Sequence, residues 1–84
     1  MNDMTLGVII THLQIRAARA MIGITQAELA REAGLSTTGL NNIEAGKADA
    51  KGSTLRAIQA ALEAHGIEFT NDAYPGVRMK GTRK

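Results

Sequence analysis

The run TQAELAREAGLSTTGLNNIEAG, residues 25–46, restricts what this chain can fold into more than any other stretch. It encodes two short helices joined by a tight turn. Thr25 suits an N-cap and Glu28, three residues on, completes a capping box, so a helix begins at Gln26. Leu29, Ala30 and Ala33 then share one face at helical spacing. Gly34 stops the helix, because glycine enters the left-handed C′ conformation without steric cost. Ser36 caps a second helix, Leu40 and Ile43 form its apolar face, and Gly46 ends it.

At 84 residues the chain makes one small domain. The apolar fraction is 44%, but much of it is alanine and only one Phe and one Tyr occur. That composition suits a thin core of closely packed helices. The chain has no cysteine, which excludes disulfides and thiolate metal sites and fits a reducing cytoplasm. Net charge is only +2, but no acid follows Asp72 while Arg78, Lys80, Arg83 and Lys84 do. This basic end reads either as a solubilising tail or as a nucleic-acid contact. The apolar run at residues 6–10 lacks a basic flank and a cleavage site and is too short to cross a bilayer, so no membrane partner is expected.

The remaining elements follow from the same rules. Residues 5–10, TLGVII, read as a short strand or as an extra turn leading into the first helix. Thr11 caps a helix from His12 to Ile22 that Gly23 closes, with Ile15, Ala18, Ile22 and either Ala17 or Met21 inward and Arg16 in solvent. Residues 47–52 form a polar loop. Ser53 caps a fourth helix over residues 54–65, with Leu55, Ile58, Ala61 and Leu62 buried and Gly66 as its stop. Beyond it Ile67 and Phe69, then Val77 and Met79, alternate with polar residues around the turn-forming NDAYPG: a β-hairpin with a longer loop. The fold class is therefore mainly α, a four-helix bundle with a short C-terminal hairpin and an optional N-terminal strand.

In this order the elements resemble the Cro/C1-type (Xre family) helix-turn-helix domain of phage repressors and bacterial regulators. Over residues 15–62 the resemblance rests on Arg19, the TQAELA run, Gly34, Ser36, the Glu44-Ala45-Gly46 close and Thr54-Leu55 with its apolar stripe. It implies that the second helix of the motif enters the DNA major groove while the first crosses the backbone. Leu40 and Ile43 serve the core, which leaves Thr37, Thr38, Asn41 and Asn42 as base-contact candidates and Gly39 to allow close approach. Asparagine can pair bidentately with adenine, and threonine offers a hydroxyl and a methyl. Gln26, by the resemblance, bonds a phosphate and can brace the recognition helix. Ser36, Lys47 and Lys51 are further phosphate candidates, the lysines alternatively being plain solvent-exposed charges. The resemblance also implies a buried ion pair between Arg19 and Glu44.

No catalytic or metal site is expected: His12 and His65 lie apart without clustered acids, and no phosphate loop or nucleophile elbow occurs. His65 suits the C-terminal dipole of the fourth helix, and the methionines read as gap fillers or termini. No cofactor is expected. The chain divides into an arm or strand (1–10), a helix-turn-helix domain (11–66) and a hairpin with a basic tail (67–84) that serves dimerisation. The reading is a cytoplasmic homodimeric repressor on double-stranded, palindromic DNA. Its rivals are a protein-interaction module, such as an antitoxin or anti-activator, and a nonspecific nucleoid-type binder.

Overall fold

A computed structural model describes residues 10–71 and 74–80. The possible strand at the N-terminus and the end of the basic tail lie outside these residues, apart from Ile10, Arg78 and Lys80. Four helices come first, α1 (His12–Ile22), α2 (Gln26–Ala33), α3 (Thr37–Glu44) and α4 (Gly52–Ala64). Two strands follow, β1 (Ile67–Asn71) and β2 (Pro75–Met79), paired antiparallel with Phe69 opposite Val77.

Local chemistry sets the helix limits. The Thr25 hydroxyl accepts the Glu28 backbone N–H, and the Glu28 carboxylate accepts that of Thr25, so two otherwise orphaned donors are satisfied at the start of α2. Thr11 and Gln14 make the same reciprocal box at the start of α1. Ser36 caps α3 by accepting the Gly39 N–H. Gly23 and Gly34 end α1 and α2 at φ 74° and 75°, the left-handed region. No atom stands within 4 Å of a Cβ built on either one, so backbone conformation and not space requires glycine there.

The fourth helix departs from expectation. It begins at Gly52, with the Lys51 carbonyl already accepting the Leu55 N–H, so Ser53 lies inside the first turn and caps nothing. It ends at Ala64, and Gly66 turns the chain at φ 93°.

Ile15, Leu29, Leu40, Ile58, Leu62 and Ile67 are fully enclosed, so every helix and β1 contribute to one core. Its inner surface on α1 differs from the periodic pattern. Ala17 and Met21 are both exposed, and the third buried residue beside Ile15 and Ala18 is Gln14. The Gln14 amide donates to the Gly76 carbonyl at 3.0 Å and to Asn71 Oδ1 at 3.1 Å, with the Thr70 carbonyl at 3.4 Å. Its oxygen accepts the Thr11 N–H at 2.8 Å. One buried amide thus fastens the turn end of the hairpin to the first turn of α1. Burying it is tolerable because both of its polar ends are bonded.

Only residues 72–74 separate the strands, so the loop is shorter than NDAYPG suggests: Asn71, Pro75 and Gly76 join the ladder. Met21 and Met79 are about half exposed and fill no gap. The His65 side chain does not serve the helix dipole alone; its Nε2 lies 2.7 Å from Glu32 Oε1 and ties the end of α4 to α2.

Candidate nucleic-acid interface

Helix α3 sorts its eight residues cleanly by face. Leu40, Ile43 and Glu44 are buried, Thr37, Thr38 and Asn41 are exposed, and Asn42 is half-buried. Spacing explains the division, since positions 40, 43 and 44 share one side of a helix at 100° per residue. Gly39 sits between the two threonines and Asn41–Asn42 in the chain. A Cβ there would meet Ser36 Oγ at 3.0 Å, so glycine keeps the helix start slim without disturbing its cap. Lys47 and Lys51 are exposed on the loop after α3, and the Lys47 N–H closes onto the Asn42 carbonyl at 2.9 Å. Ser36 is exposed as well, with its hydroxyl engaged as the cap.

The polar surface is held in place from beneath. Arg19 donates to Glu44 through Nε at 2.9 Å and Nη2 at 3.1 Å, a two-pronged pair, while Nη1 reaches the Ile24 carbonyl at 3.2 Å. The Glu44 side chain is 3% exposed and that of Arg19 26%, so the carboxylate is enclosed and the guanidinium keeps one edge in solvent. Gln26 Nε2 adds a third bond to the same carboxylate at 3.1 Å. The Gln26 oxygen then accepts from Asn41 Nδ2 at 3.2 Å. Arg19, Gln26, Glu44 and Asn41 therefore form one network that couples α1, the start of α2 and both faces of α3. Burial of a charge in such a network requires that its lone pairs be used, and here both carboxylate oxygens are.

The consequence is electrostatic. Glu44 is the one acid in α3, and it is enclosed and paired, so no carboxylate stands on the exposed side of that helix. Glu28, at the start of α2, has its carboxyl held below the usual glutamate value by the Thr25 backbone N–H and then by the Thr25 hydroxyl. Arg16, placed by periodicity merely in solvent, lines the same cleft as Arg19, Gln26, Asn41 and Glu44. Its signal was available: it precedes Arg19 by one helical turn and so shares that side of α1.

Among the described residues no group of three or more His, Cys, Asp or Glu is placed to hold a metal. Nor is any described helix long and apolar enough to cross a membrane. The structure thus brings Gln26, Asn41, Glu44 and Arg19 into contact, arrays Thr37, Thr38 and Asn42 beside them, and leaves Lys47 and Lys51 on the flanking loop.

Comparison with known proteins agrees with the fold. A family model described as helix-turn-helix matches residues 15–69. Among solved structures, the DNA-binding domain (residues 1–76) of the P22 C2 repressor is similar, with a TM-score of 0.61 and 28% identity over 75% of this chain and 76% of that one. That solution NMR structure was itself compared with the DNA-binding domain of the 434 repressor. No curated protein matches this chain.

Proposed function

This chain belongs to the Cro/C1-type helix-turn-helix family, and on that premise we propose that it is a sequence-specific, DNA-binding regulator of transcription, a repressor that acts as a homodimer. One observation carries the reading: α3 presents an uncharged, hydrogen-bonding face while its single acid is enclosed beneath. In the major groove Thr37, Thr38 and Asn42 contact base edges. Asn41 joins them from its bond to Gln26. Gln26, Ser36, Lys47 and Lys51 meet phosphates, Gln26 from the start of α2, where free N–H groups favour an anion. The structural role of the Arg19–Glu44 pair is to hold α3 at its angle to α1.

A single domain of this size offers little contact area, so two copies read a palindromic operator with half-sites about 34 Å apart. An arm or strand (1–10) and the hairpin with its tail (67–84) flank the reading domain (11–66), and the hairpin segment supplies the dimer contact. Blocking a promoter in this way needs neither a cofactor nor catalysis. The site of action is the cytoplasm.

Binding measured on many sequences at physiological salt tests the reading. A specific regulator keeps a preference of about 10³-fold or more there, whereas a nonspecific binder loses it. Thr38→Ala and Asn42→Ala should relax preference at particular base positions, each lost base contact costing about 1–3 kcal/mol. Lys47→Ala should weaken all sequences alike. If Thr38→Ala and Asn42→Ala leave the profile unaltered, α3 is not the reader.

A further inference from the structure

The hydrogen bonds above Glu44 run in one direction. A carboxylate paired with arginine only accepts, so the two amides stacked outward from it have their orientation decided from beneath. Gln26 meets Glu44 Oε1 at 3.1 Å and must present Nε2 there. Its oxygen consequently faces Asn41, which must in turn present Nδ2, at 3.2 Å. A side-chain amide can be turned end for end, and its partners decide which end lies where. Turning Gln26 would set its oxygen against a carboxylate oxygen and its NH2 against that of Asn41, two repulsive contacts in place of two bonds. The Glu44 side chain is 3% exposed, so water does not relieve the first of them.

Asn41 is the outer end of this relay. It is exposed on α3, one of its two amide hydrogens is committed to Gln26, and its Oδ1 accepts no bond among the described residues. What it offers a ligand is therefore an oxygen with both lone pairs, together with one remaining N–H. An unrestrained asparagine offers either end. The difference has a meaning in the major groove, where adenine and cytosine present exocyclic amines. Guanine presents only the acceptors N7 and O6 there, and thymine the acceptor O4.

We propose that Asn41 reads a base amine, N6 of adenine or N4 of cytosine, through its Oδ1, and that Gln26 and Glu44 are positioning residues that fix this polarity. Every base pair carries one such amine, on one side of the groove, and one keto base opposite. A reader that only accepts through its oxygen therefore tells A·T from T·A and G·C from C·G. Released from Gln26, the same amide turns to donate to the keto base as readily, and the orientation of that pair is no longer read. Gln26 keeps a second Nε2 hydrogen beside the one given to Glu44, so bracing Asn41 does not prevent it from meeting a phosphate. The inference rests on the reading of α3 as the recognition helix and adds the chemical group that one of its residues takes.

Binding of the full chain to duplexes with one altered base is the test. The pair read by Asn41 is located first, as the position of a selected sequence that loses definition in Asn41→Ala. At that position purine in place of adenine, or 2-pyrimidinone in place of cytosine, removes the amine. Wild-type binding should then weaken about tenfold, the worth of one hydrogen bond, while the same change costs Asn41→Ala little. Gln26→Leu leaves Asn41 in place and frees its amide. With unchanged helical circular dichroism, it should weaken binding to all sequences and, unlike the wild type, accept the two bases of that pair exchanged. A wild type indifferent to the amine, an equal loss in Asn41→Ala, or a Gln26→Leu protein that keeps the wild-type preference at that pair would each overturn the proposal. So would an Asn41→Ala consensus identical to that of the wild type, but definition lost in Thr38→Ala and Asn42→Ala would then leave the reading helix standing. A wild type that enriches no sequence removes both.

Discussion

Replacing Glu44 by alanine perturbs the network at its centre. The substitution removes three accepted hydrogen bonds, two from Arg19 at 2.9 and 3.1 Å and one from Gln26 at 3.1 Å, from a side chain that is 3% exposed. Breaking a buried ion pair by deleting one partner costs about 3–5 kcal/mol, because the surviving charge is stranded. Arg19 keeps 26% of its side chain in solvent and retains its bond to the Ile24 carbonyl, which favours the lower end of that range. The lost Gln26 bond adds about 1 kcal/mol. A total near 4 kcal/mol lowers the melting temperature of a domain this size by roughly 16–32 °C, at about 4–8 °C per kcal/mol. Urea and thermal unfolding followed by circular dichroism measure it directly. The companion variant Arg19→Met with Glu44→Leu separates stranded charge from lost packing, since apolar replacement of both partners is often neutral or better. It should recover most of the loss. A Glu44→Ala protein within about 1 kcal/mol of wild type would refute the reasoning, since that is the cost of an ordinary substitution.

Other consequences are smaller. Gln14→Ala leaves the Gly76 carbonyl and Asn71 without their shared donor and should cost about 1–3 kcal/mol, with hydrogen exchange of the β1 and β2 amides speeding before that of α2. Glu28 has a carboxyl lowered by the Thr25 N–H, so its contribution is present above the ordinary glutamate value of 4.5 and fades as pH falls through and below it. Glu28→Gln keeps the capping geometry, and its stability should fall less steeply over that acid range. His65→Ala removes a contact to Glu32 in which both side chains are about one-third exposed, so it should cost no more than about 1 kcal/mol in chemical denaturation.

The extent to which these features were legible in the sequence follows from how local their causes are. Helices α1, α2 and α3 begin and end where their threonine, serine and glycine residues place them, because capping is decided within a few residues. The start of α4 was misread for the same reason in reverse: Ser53 is a plausible cap, but the Lys51 carbonyl had already been engaged by Leu55, and no side-chain cap is used. Gln14 was invisible as a core residue. A polar side chain on a helix reads as solvated unless its partners are known, and those partners lie 56 to 62 positions away in the chain. The Thr11-x-x-Gln14 spacing did hold half of its role, the cap, and nothing local held the other half. Of the candidate interface, the outward residues of α3 came from periodicity once Leu40 and Ile43 were assigned inward. The bonds from Gln26 to Glu44 and from Asn41 to Gln26 depend on how α2 and α3 cross, which is a tertiary property.

Selection of bound duplexes from a random DNA pool, run in parallel for the wild type and for Asn42→Ala, tests the central claim most directly, that α3 reads base sequence. The account predicts a palindromic consensus whose half-sites are one helical turn apart, and a consensus for Asn42→Ala that loses definition at the same position in each half-site. A wild-type pool that yields no enriched sequence, or a consensus identical in the variant, would contradict it.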